Sequence, residues 1–413
     1  MKDILKRFSI FVLMFALFYA SGFCNPVLAQ TPKALYDRAW RLIGQKYVDQ
    51  TANRQDWNRW KNKYDSVIQD EEDAYVAIET MVSSLNDVYT KFLNPKDFKE
   101  ERESIQGELQ GIGVQIGVRG GKLLVIAPIE DTPGERAGLL AEDEILEING
   151  KSTKGIAVDA AAEQIRGPEG TEVTLLVKRK GEAPKTYKIK RAKIEIKSVS
   201  TKMPKFTKIP GNVGYIRLST FMSKNASREF HAALIENVAK DALIIDLRSN
   251  PGGLLSNAVL IADMLLDESV IVSTVDRDGY KETEYSGATH ITKQPIVVLI
   301  NGGSASASEI LSGALKDNER AVIVGKKSFG KGLVQEINRL PGGSAMHITI
   351  QKYLTPNGTD INKKGIEPDY EVELTEEDIK KERDPQIEKA LEIIREKFAC
   401  QDKDKQIDIK VLN

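Results

Sequence analysis

The chain has 413 residues, of which 41% are apolar and 29% are charged, and its formal net charge at pH 7 is −1. This length can hold two or three domains with substantial hydrophobic cores. Because the two signs of charge balance, the chain has no overall basic field. That argues against nucleic acid as a partner and requires any ligand to be recognised at a local site.

The first 29 residues predict a secretory signal peptide. Basic residues precede an apolar run from Phe8 to Phe18, and Val27-Leu-Ala29 supplies a small-residue cleavage site. An uncleaved membrane anchor is the alternative, although the run is short for a spanning helix; membrane association is expected only through this segment. Cys24 suggests a lipoprotein, but Phe23 stands where processing needs a small residue. We expect export to a periplasm, a cell envelope, the extracellular space or an organelle lumen.

Cysteine content limits the chemistry further. Removal of the signal peptide would leave Cys400 as the one cysteine, which cannot form an internal disulfide. The sequence has no cluster of histidine and cysteine with the spacing of metal ligands, so we expect neither a metal nor another cofactor.

Residues 30–104 predict a small helical domain. Helix-forming residues carry apolar side chains at wide spacing through this segment, as on one face of an amphipathic helix. We expect the three tryptophans, Trp40, Trp57 and Trp60, to be core anchors rather than a binding platform.

Residues 105–195 predict a compact β module, because short β-like runs alternate with glycine turns. One helix is expected at Ala157–Ile165. The segment resembles a PDZ domain: Gly111-Ile-Gly-Val114 is followed by Pro133-Gly-Glu-Arg-Ala-Gly-Leu139 and then by Asp143-Glu-Ile-Leu-Glu-Ile-Asn-Gly150. In such a module, amides of a glycine turn bind a carboxylate and an adjacent strand edge pairs with an extended peptide. Gly111, Ile112, Gly113 and Val114 are therefore the predicted binding residues for a peptide C-terminus.

Residues 196–375 alternate strand and helix, which predicts a layered α/β domain. Residues 376–413 predict a C-terminal helix and a polar tail. The expected buried strands are Val213–Arg217, Ala242–Asp246, Pro295–Ile300 and Ala321–Gly325, with a helix at Ser223–Ala239. Functional loops belong at strand ends, where two motifs fall: Asp246-Leu-Arg-Ser-Asn-Pro-Gly-Gly253 and Asn301-Gly-Gly-Ser-Ala-Ser-Ala-Ser-Glu309.

The second of these motifs offers three candidate nucleophiles, Ser304, Ser306 and Ser308. A serine hydroxyl needs a neighbouring base, which is usually histidine. The histidines of this chain lie in a predicted helix, a polar turn and a predicted strand, and none has the sequence context of a base. They are His231, His290 and His347.

Lys331, in Ser328-Phe-Gly-Lys-Gly332, is the alternative base. Burial can lower the pKa of a lysine towards neutrality, because desolvation disfavours the ammonium form. We expect Phe329 to provide apolar cover, and Gly330 and Gly332 to permit close approach of the backbone.

The same residues also fit a phosphate-binding loop, Gly325-Lys-Lys-Ser-Phe-Gly-Lys-Gly332. Two features oppose this alternative. Gly332 stands where the motif needs serine or threonine, and Leu333–Ile337 followed by Pro341-Gly-Gly343 predicts a hairpin rather than a phosphate-binding helix.

With these motifs assembled, the chain resembles the carboxyl-terminal-processing proteases, tail-specific serine peptidases with a Ser/Lys dyad. The resemblance extends from Leu85-Asn-Asp-Val-Tyr-Thr-Lys-Phe-Leu93 through the PDZ-like module to Tyr353-Leu-Thr-Pro-Asn-Gly358 and Gly365-Ile-Glu-Pro-Asp369. It implies a multidomain α+β and α/β protein whose protease domain has a fold like that of ClpP and crotonase.

The resemblance also assigns residue roles that the residues alone leave open. It implies that Ser306 is the nucleophile and Lys331 the base, and that Gln335 orients the lysine; positions i and i+4 of a strand share a face. For the oxyanion it implies the amide of Gly252 or Gly253 together with that of Ala307.

Two further residues have weaker signals. Asp317 occupies a position that is acidic in some relatives, but we do not predict a catalytic role for it. Arg166, in Arg-Gly-Pro-Glu-Gly170, is a candidate sensor that reports peptide occupancy of the PDZ-like module.

The expected function is that of an exported serine endopeptidase that binds the free, apolar C-terminus of a protein substrate and cleaves upstream of it. The alternative is a catalytically silent PDZ scaffold, which would bind peptides without cleaving them. The sequence is compatible with a homo-oligomer.

Overall fold

A computed structural model describes residues 31–106, 108–129, 132–140, 142–195, 197–202, 209–375, 377–378 and 381–396. The predicted signal peptide, both cysteines and the polar tail lie outside these residues. None of the helices in the described ranges combines the length and the apolar character that crossing a bilayer requires. The described residues fall into two compact units, one within Met1–Lys96 and Glu336–Ile348, the other within Asp97–Gln335 and Thr349–Asn413.

The first unit is built on two helices, as the sequence predicts. Each helix begins at a polar cap: the Thr31 hydroxyl accepts a hydrogen bond from the Ala34 amide, and the Asp70 carboxylate accepts one from the Asp73 amide. Its elements are α1 Pro32–Lys46, a 3₁₀ helix at Trp57–Trp60, α2 Glu71–Ser83 and β1 Lys91–Leu93. Strand β1 pairs antiparallel with residues 345–347.

The tryptophans of the first unit anchor its core in two different ways. Trp60 is buried, and its indole N–H donates to the Gln55 side chain at 2.9 Å. Trp40 and Trp57 are half-buried, and each indole N–H donates to the other residue's carbonyl at 3.1 Å.

Helix α3 Pro95–Gln106 starts two residues before the second unit, and a β module follows it. The module's sheet has the strand order β3-β4-β5-β7-β8, with β6 paired to β5, and its neighbouring strands are antiparallel. Its strands are β2 Glu108–Gly111, β3 Val114–Arg119, β4 Lys122–Pro128, β5 Glu144–Ile148, β6 Lys151–Ser152, β7 Glu172–Lys178, β8 Lys185–Lys190 and β9 Ala192–Glu195; its helices are α4 Pro133–Arg136 and α5 Val158–Ile165. Strands β2 and β9 form a separate antiparallel ribbon at the entry and exit of the module.

The remainder of the second unit is a layered α/β domain. A six-stranded sheet has the order β10-β11-β12-β15-β16-β19, parallel from β11 onward. The elements in chain order are β10 Val199–Ser200, β11 Val213–Leu218, α6 Ala226–Glu236, β12 Ala242–Asp246, α7 Leu255–Asp263, β13 Val270–Asp276, β14 Lys281–Tyr285, β15 Ile296–Ile300, α8 Ala307–Asp317, β16 Ala321–Gly325, β17 Leu333–Arg339, β18 Ala345–Leu354 and β19 Tyr370–Glu371, followed by a helix at 385–396, α9. Residues 336–339 of β17 and 345–348 of β18 belong to the first unit.

The central strands β12 and β15 are buried at every position, because helices cover both faces of the sheet. Helices α6, α7 and α8 pack on one face, and α9 packs on the other. Parallel strands bring their carboxyl ends to one edge of the sheet, so the loops that follow β12, β15 and β16 meet there.

A buried ion network joins the end of β12 to the start of α9. Arg248 Nη2 lies 2.6 Å from Asp246 Oδ2, and Arg248 Nη1 lies 2.8 Å from Asp384 Oδ2. Burial would raise the pKa of the Asp246 carboxyl, but the hydrogen bonds and charge of Arg248, with the charge of Arg217, outweigh it and hold that pKa below its ordinary value. Asp246 therefore stays ionised in the folded protein.

We predict that Asp246→Asn lowers the free energy of unfolding by about 3–5 kcal/mol, because it leaves the Arg248 guanidinium buried without its main counter-charge. Since the folded pKa of Asp246 is depressed, its contribution is present above the unfolded pKa of about 4 and is lost as the pH falls through the folded pKa. The wild type should therefore lose more stability than the variant over that acid range. Urea unfolding at several pH values measures both effects.

Asp241→Asn is the matched control, because Asp241 is exposed and accepts a hydrogen bond from the Asn212 side chain. Equal unfolding free energies for the Asp246 and Asp241 variants at pH 7 would contradict the prediction.

Candidate active site

The serine motif forms a sharp turn between strand β15 and helix α8. Ser306 is the N-cap residue of α8, and its backbone has φ +55° and ψ −114°. A residue with a side chain seldom adopts this conformation, which costs about 1–3 kcal/mol and persists only where the surrounding structure imposes it. Such strain is typical of functional turns.

The three serines of the turn differ in what holds them. Ser304 and Ser308 are fully buried, and their hydroxyls donate to the carbonyls of Leu247 at 2.9 Å and Asn250 at 2.8 Å. Both bonds fasten the turn to the loop that follows β12. Ser306 is half-buried. The hydroxyls on either side of Ser306 therefore pack the turn, a distinction that the residue pattern alone could not make.

The loop after β12 brings Gly252 against the serine turn and Gly253 against the backbone of Phe221 and Met222. A Cβ atom on Gly252 would lie 2.9 Å from Ser306 Cβ and 2.8 Å from the Ala307 nitrogen; one on Gly253 would lie 2.2 Å from the Met222 nitrogen. Both glycines have positive φ, so a side chain at either position would be strained as well as crowded. At Gly252 the backbone can approach Ser306 this closely only because the residue has no side chain.

The Gly252 N–H donates to Asn250 Oδ1 at 2.9 Å. Of the amides predicted for an oxyanion hole, those of Gly253 and Ala307 are therefore the better candidates. Ala307 is the first residue of α8, where the helix dipole also favours negative charge.

Lys331 follows strand β16 and stands two residues before β17. As predicted, its flanking glycines permit close backbone contact: a Cβ on Gly330 would lie 3.0 Å from the Lys364 nitrogen, and one on Gly332 would lie 2.6 Å from the Asn362 nitrogen. The Phe329 amide donates to the Ser304 carbonyl at 3.0 Å, which joins the lysine segment directly to the serine turn.

Two expectations for this segment are decided by the structure. Phe329 is 58% exposed, so the prediction that it covers Lys331 is wrong; its main chain rather than its ring is held by the serine turn. The segment after Gly332 is strand β17, which pairs with β18. The predicted hairpin is confirmed, and no helix stands there to support the phosphate-loop alternative.

Glu309 is a site residue that was not singled out from the sequence. Its fully buried carboxylate accepts hydrogen bonds from the Ser306 amide at 2.8 Å and the Lys331 amide at 2.9 Å, both on Oε2. Its Oε1 accepts from the Ser328 hydroxyl at 2.5 Å and the Gly330 amide at 2.6 Å. One carboxylate therefore fixes the backbones of the predicted nucleophile and the predicted base relative to each other.

A signal for Glu309 was present in the sequence. Ser306-Ala-Ser-Glu309 precedes an apolar run and fits a capping box, in which the glutamate reaches back to the amide of the N-cap residue. The hydrogen bond from the Ser306 amide to the Glu309 carboxylate is one of the two bonds that define this motif. The spacing could have predicted this bond, but not the additional donors from Ser328–Lys331.

Gln335, the residue predicted to orient Lys331, is bound to the neighbouring strand. Gln335 lies in β17 and its side-chain amide donates to Thr349 Oγ1 at 3.4 Å. Because Lys331 precedes β17, strand alternation does not itself place the side chains of Lys331 and Gln335 on one face.

Asp317 is the last residue of α8 and accepts a hydrogen bond from the Asn357 amide at 2.9 Å. Tyr353 donates its hydroxyl to the Ser306 carbonyl at 3.3 Å.

In the β module, the glycine loop Gly111–Val114 connects ribbon strand β2 to β3. Gly113 has φ +73°, and a Cβ there would lie 2.3 Å from Thr132 Cβ. The loop's carbonyls are occupied: that of Ile112 accepts from the Gly134 amide at 2.6 Å, and that of Gly113 from the Ile129 amide at 2.8 Å. The amides are therefore the groups of this loop best suited to an incoming carboxylate.

Strand β3, which begins at Val114, is the edge strand of the module's sheet, and helix α5 packs beside it. An open strand edge next to a helix is the geometry that binds an extended peptide by strand addition. Arg166 follows the end of α5; a Cβ on Gly111 would lie 3.8 Å from Arg166 Cα. Arg166 Nη1 also lies 2.9 Å from Glu100 Oε2 on helix α3.

The fold and the site define a serine peptidase with a PDZ domain, and comparisons with known proteins agree. A model of peptidase family S41 matches residues 212–372, and a PDZ domain model matches residues 124–179. The carboxyl-terminal-processing protease of Synechocystis sp. is 39% identical over 393 residues, which cover 93% of this chain and 91% of that protein. The chloroplastic carboxyl-terminal-processing peptidase 2 of Arabidopsis thaliana is 36% identical over 354 residues, which cover 81% of this chain and 68% of that protein.

Among solved structures, the photosystem II D1 C-terminal processing protease matches with a TM-score of 0.57 and 31% identity, covering 83% of this chain and 93% of that chain. The chain belongs to peptidase family S41, among the carboxyl-terminal-processing proteases. The predicted helical N-terminal region, PDZ domain and mixed α/β protease domain are confirmed, and a catalytically silent scaffold is not favoured.

We predict that Glu309→Gln lowers kcat about 100-fold, because a small displacement of catalytic groups has an effect of that size. The amide replaces one acceptor oxygen with an NH₂ group, so buried backbone N–H groups that now bind the carboxylate would face another donor. Steady-state proteolysis measures kcat, and affinity for a peptide tail should be unchanged because the PDZ domain is untouched.

Glu319→Gln is the control, because Glu319 is exposed just beyond the end of α8. A Glu309 variant that is folded and retains kcat within about twofold of the wild type would show that the shared carboxylate does not position the reacting groups.

Proposed function

We propose that this protein is an exported serine endopeptidase that captures the free C-terminus of a protein in its PDZ groove and cleaves upstream with a Ser306/Lys331 dyad. The observation that carries the proposal is the shared Glu309 carboxylate, which holds the amides of Ser306 and Lys331 on one oxygen, with Gly252 against the same turn. The signal-like residues 1–29 support export.

In the proposed mechanism, neutral Lys331 takes the proton from the Ser306 hydroxyl while the oxygen attacks the carbonyl carbon of the scissile peptide. The amides of Gly253 and Ala307 stabilise the oxyanion of the tetrahedral intermediate, with that of Gly252 as the alternative donor. When the C–N bond breaks, the Lys331 ammonium returns the proton to the leaving amine. Water then attacks the acyl-enzyme, Lys331 takes its proton, and Ser306 recovers that proton as the acid product leaves.

Gln335 is proposed to orient Lys331. Its side-chain amide already has one partner in Thr349, which restricts its rotation. A lysine held in one orientation loses less side-chain entropy when it acts as a base.

For substrate capture, we propose that the amides of Ile112, Gly113 and Val114 bind the terminal carboxylate and that β3 pairs with the tail, with Gly111 fixing the start of the loop. The occupied carbonyls of the loop support this orientation. An apolar terminal side chain would contact the module's core, in which Ile112 and Ile165 are buried.

Arg166 is proposed to sense occupancy of the groove. It pairs with Glu100 of α3, and the carbonyl of Ile105 on the same helix accepts from the Lys224 amide at 2.8 Å. Lys224 lies three residues after Phe221, which pairs with Gly253. A series of contacts therefore leads from Arg166 through α3 and Lys224 to Phe221, with which Gly253 pairs.

We predict that Ser306→Ala and Lys331→Ala each reduce kcat/KM by about 1000-fold or more, because a dyad fails when either member is removed. The measurement is cleavage of an unstructured protein that ends in an apolar residue. Lys327→Ala is the control, since Lys327 is an exposed lysine paired with Glu367.

The wild-type rate should also rise from neutral to alkaline pH as Lys331 loses its proton. Equal cleavage by the wild type and both dyad variants would contradict the proposed catalytic residues. A flat profile over that pH range would argue against lysine as the base.

We predict that amidation of the substrate's C-terminus slows cleavage about tenfold or more at low substrate concentration, because it removes the charge that the glycine loop is proposed to bind. The control substrate carries the amide on an internal side chain and keeps its free terminus. If both substrates were cleaved at the same rate, selection by the carboxylate would be excluded.

A further inference from the structure

Arg191 is a buried cation of the PDZ domain that the proposed chemistry does not use. The residue is 9% exposed, and its guanidinium donates to oxygens of four residues. These are the carbonyls of Ile165 at 2.8 Å, Gln164 at 2.9 Å and Glu172 at 2.8 Å, and the hydroxyl of Thr171 at 3.0 Å. None of these partners is a carboxylate, so within the described residues no hydrogen-bonded counter-charge offsets the desolvation of the guanidinium.

What the guanidinium holds is the C-terminal end of helix α5. Gln164 and Ile165 are the last two residues of that helix, where carbonyls lack partners within the helix and the dipole is negative. The planar fork of arginine binds both carbonyls and the start of β7 at once. Arg191 thus caps, from a distant part of the chain, the helix that lines the peptide groove.

The main chain of Arg191 ties the same point to the glycine loop. Its amide donates to the Thr171 carbonyl at 2.7 Å, and its carbonyl accepts from the Gly170 amide at 2.9 Å. The next residue, Ala192, begins β9 and pairs with Gly111, the first residue of the glycine loop. Arg191 therefore connects the two sides of the groove, helix α5 and the glycine loop, at the end where a carboxylate would bind.

We propose that Arg191 is a positioning residue that sets the separation between the end of α5 and the glycine loop, and thereby the preference of the groove for a free C-terminus. The inference rests on the proposed capture of the substrate tail by this groove. Arg191 does not touch the tail in this account; it holds the two walls that do.

Lysine at this position separates a positioning role from a role of charge alone. A lysine ammonium keeps the positive charge, but as a compact group with three donors it cannot reproduce the planar fork that binds the two helix carbonyls together with β7. Arg191→Lys should therefore loosen the end of α5 while the charge remains.

The experiment uses the full chain carrying Ser306→Ala, which prevents cleavage, and a short fluorescent peptide ending in valine with either a free or an amidated terminus. We expect Arg191→Lys to raise the Kd for the free peptide about tenfold, equivalent to ~1.4 kcal/mol, with little change for the amidated peptide. In the cleavage-competent chain the same substitution should raise KM and leave kcat within about twofold.

Two further variants keep the test decisive. Thr171→Val removes one acceptor of the guanidinium at an exposed position and should raise the Kd about threefold. Arg179→Lys is the matched control: Arg179 also binds through a bidentate fork, but to Asp143, and its other partner is the Gly138 carbonyl. It should lower the melting temperature without changing the ratio of the two Kd values.

Each outcome decides the question. If the parent chain does not prefer the free terminus, tail capture and the role of Arg191 both fail. If the parent has the preference and folded Arg191→Lys keeps it in full, the role of Arg191 alone is overturned. Should Arg191→Lys not fold, Thr171→Val decides: a weaker and less selective groove supports the proposal, and parental binding overturns it.

Discussion

The candidate active site depends on one buried carboxylate. Glu309 has no exposure to solvent, and its two oxygens accept four hydrogen bonds, from the serine turn and from the segment that carries Lys331. A buried carboxylate is tolerated only when its acceptor capacity is filled, so the requirement for full hydrogen bonding is also what brings these two segments together. Segments that follow different strands of the sheet are thereby joined at one residue, and the position of Lys331 relative to Ser306 follows from that junction.

The surrounding fold supplies the rigidity that this junction needs. Strands β12 and β15 are buried on both faces, so their carboxyl ends cannot shift without disturbing the core. Ser304 and Ser308 then fasten the serine turn to the loop after β12 through hydroxyl bonds to backbone carbonyls. Beyond the turn, Arg248 connects the same loop to α9. The strained backbone of Ser306 is therefore held by Glu309 and by the two neighbouring serines, whose partner loop is itself anchored by Arg248.

Sequence periodicity and turn chemistry predicted most of the architecture. Strand β12 has the predicted bounds, α5 begins one residue after its predicted start, and the hairpin after Lys331 is present. Contacts between distant segments were harder to predict, because burial depends on the tertiary arrangement. Phe329 is apolar and stands next to Lys331, yet it is exposed, while Glu309 is charged, yet it is fully buried. Likewise nothing local distinguishes the two packing serines from Ser306.

The serine turn and the lysine segment are joined through main-chain amides that bind Glu309, and Gly252 lies against the turn. Amide donors exist whatever side chain a residue carries, so most amino-acid replacements around this turn cannot delete them. Replacement can still displace them by steric intrusion, and at Gly252 or Gly253 even one methyl group is too large. Genetic variation should therefore affect this centre unevenly. Its tolerance depends on the space available at each position rather than on the polarity of the new residue, so small and large substitutions of the same chemical type should behave differently there.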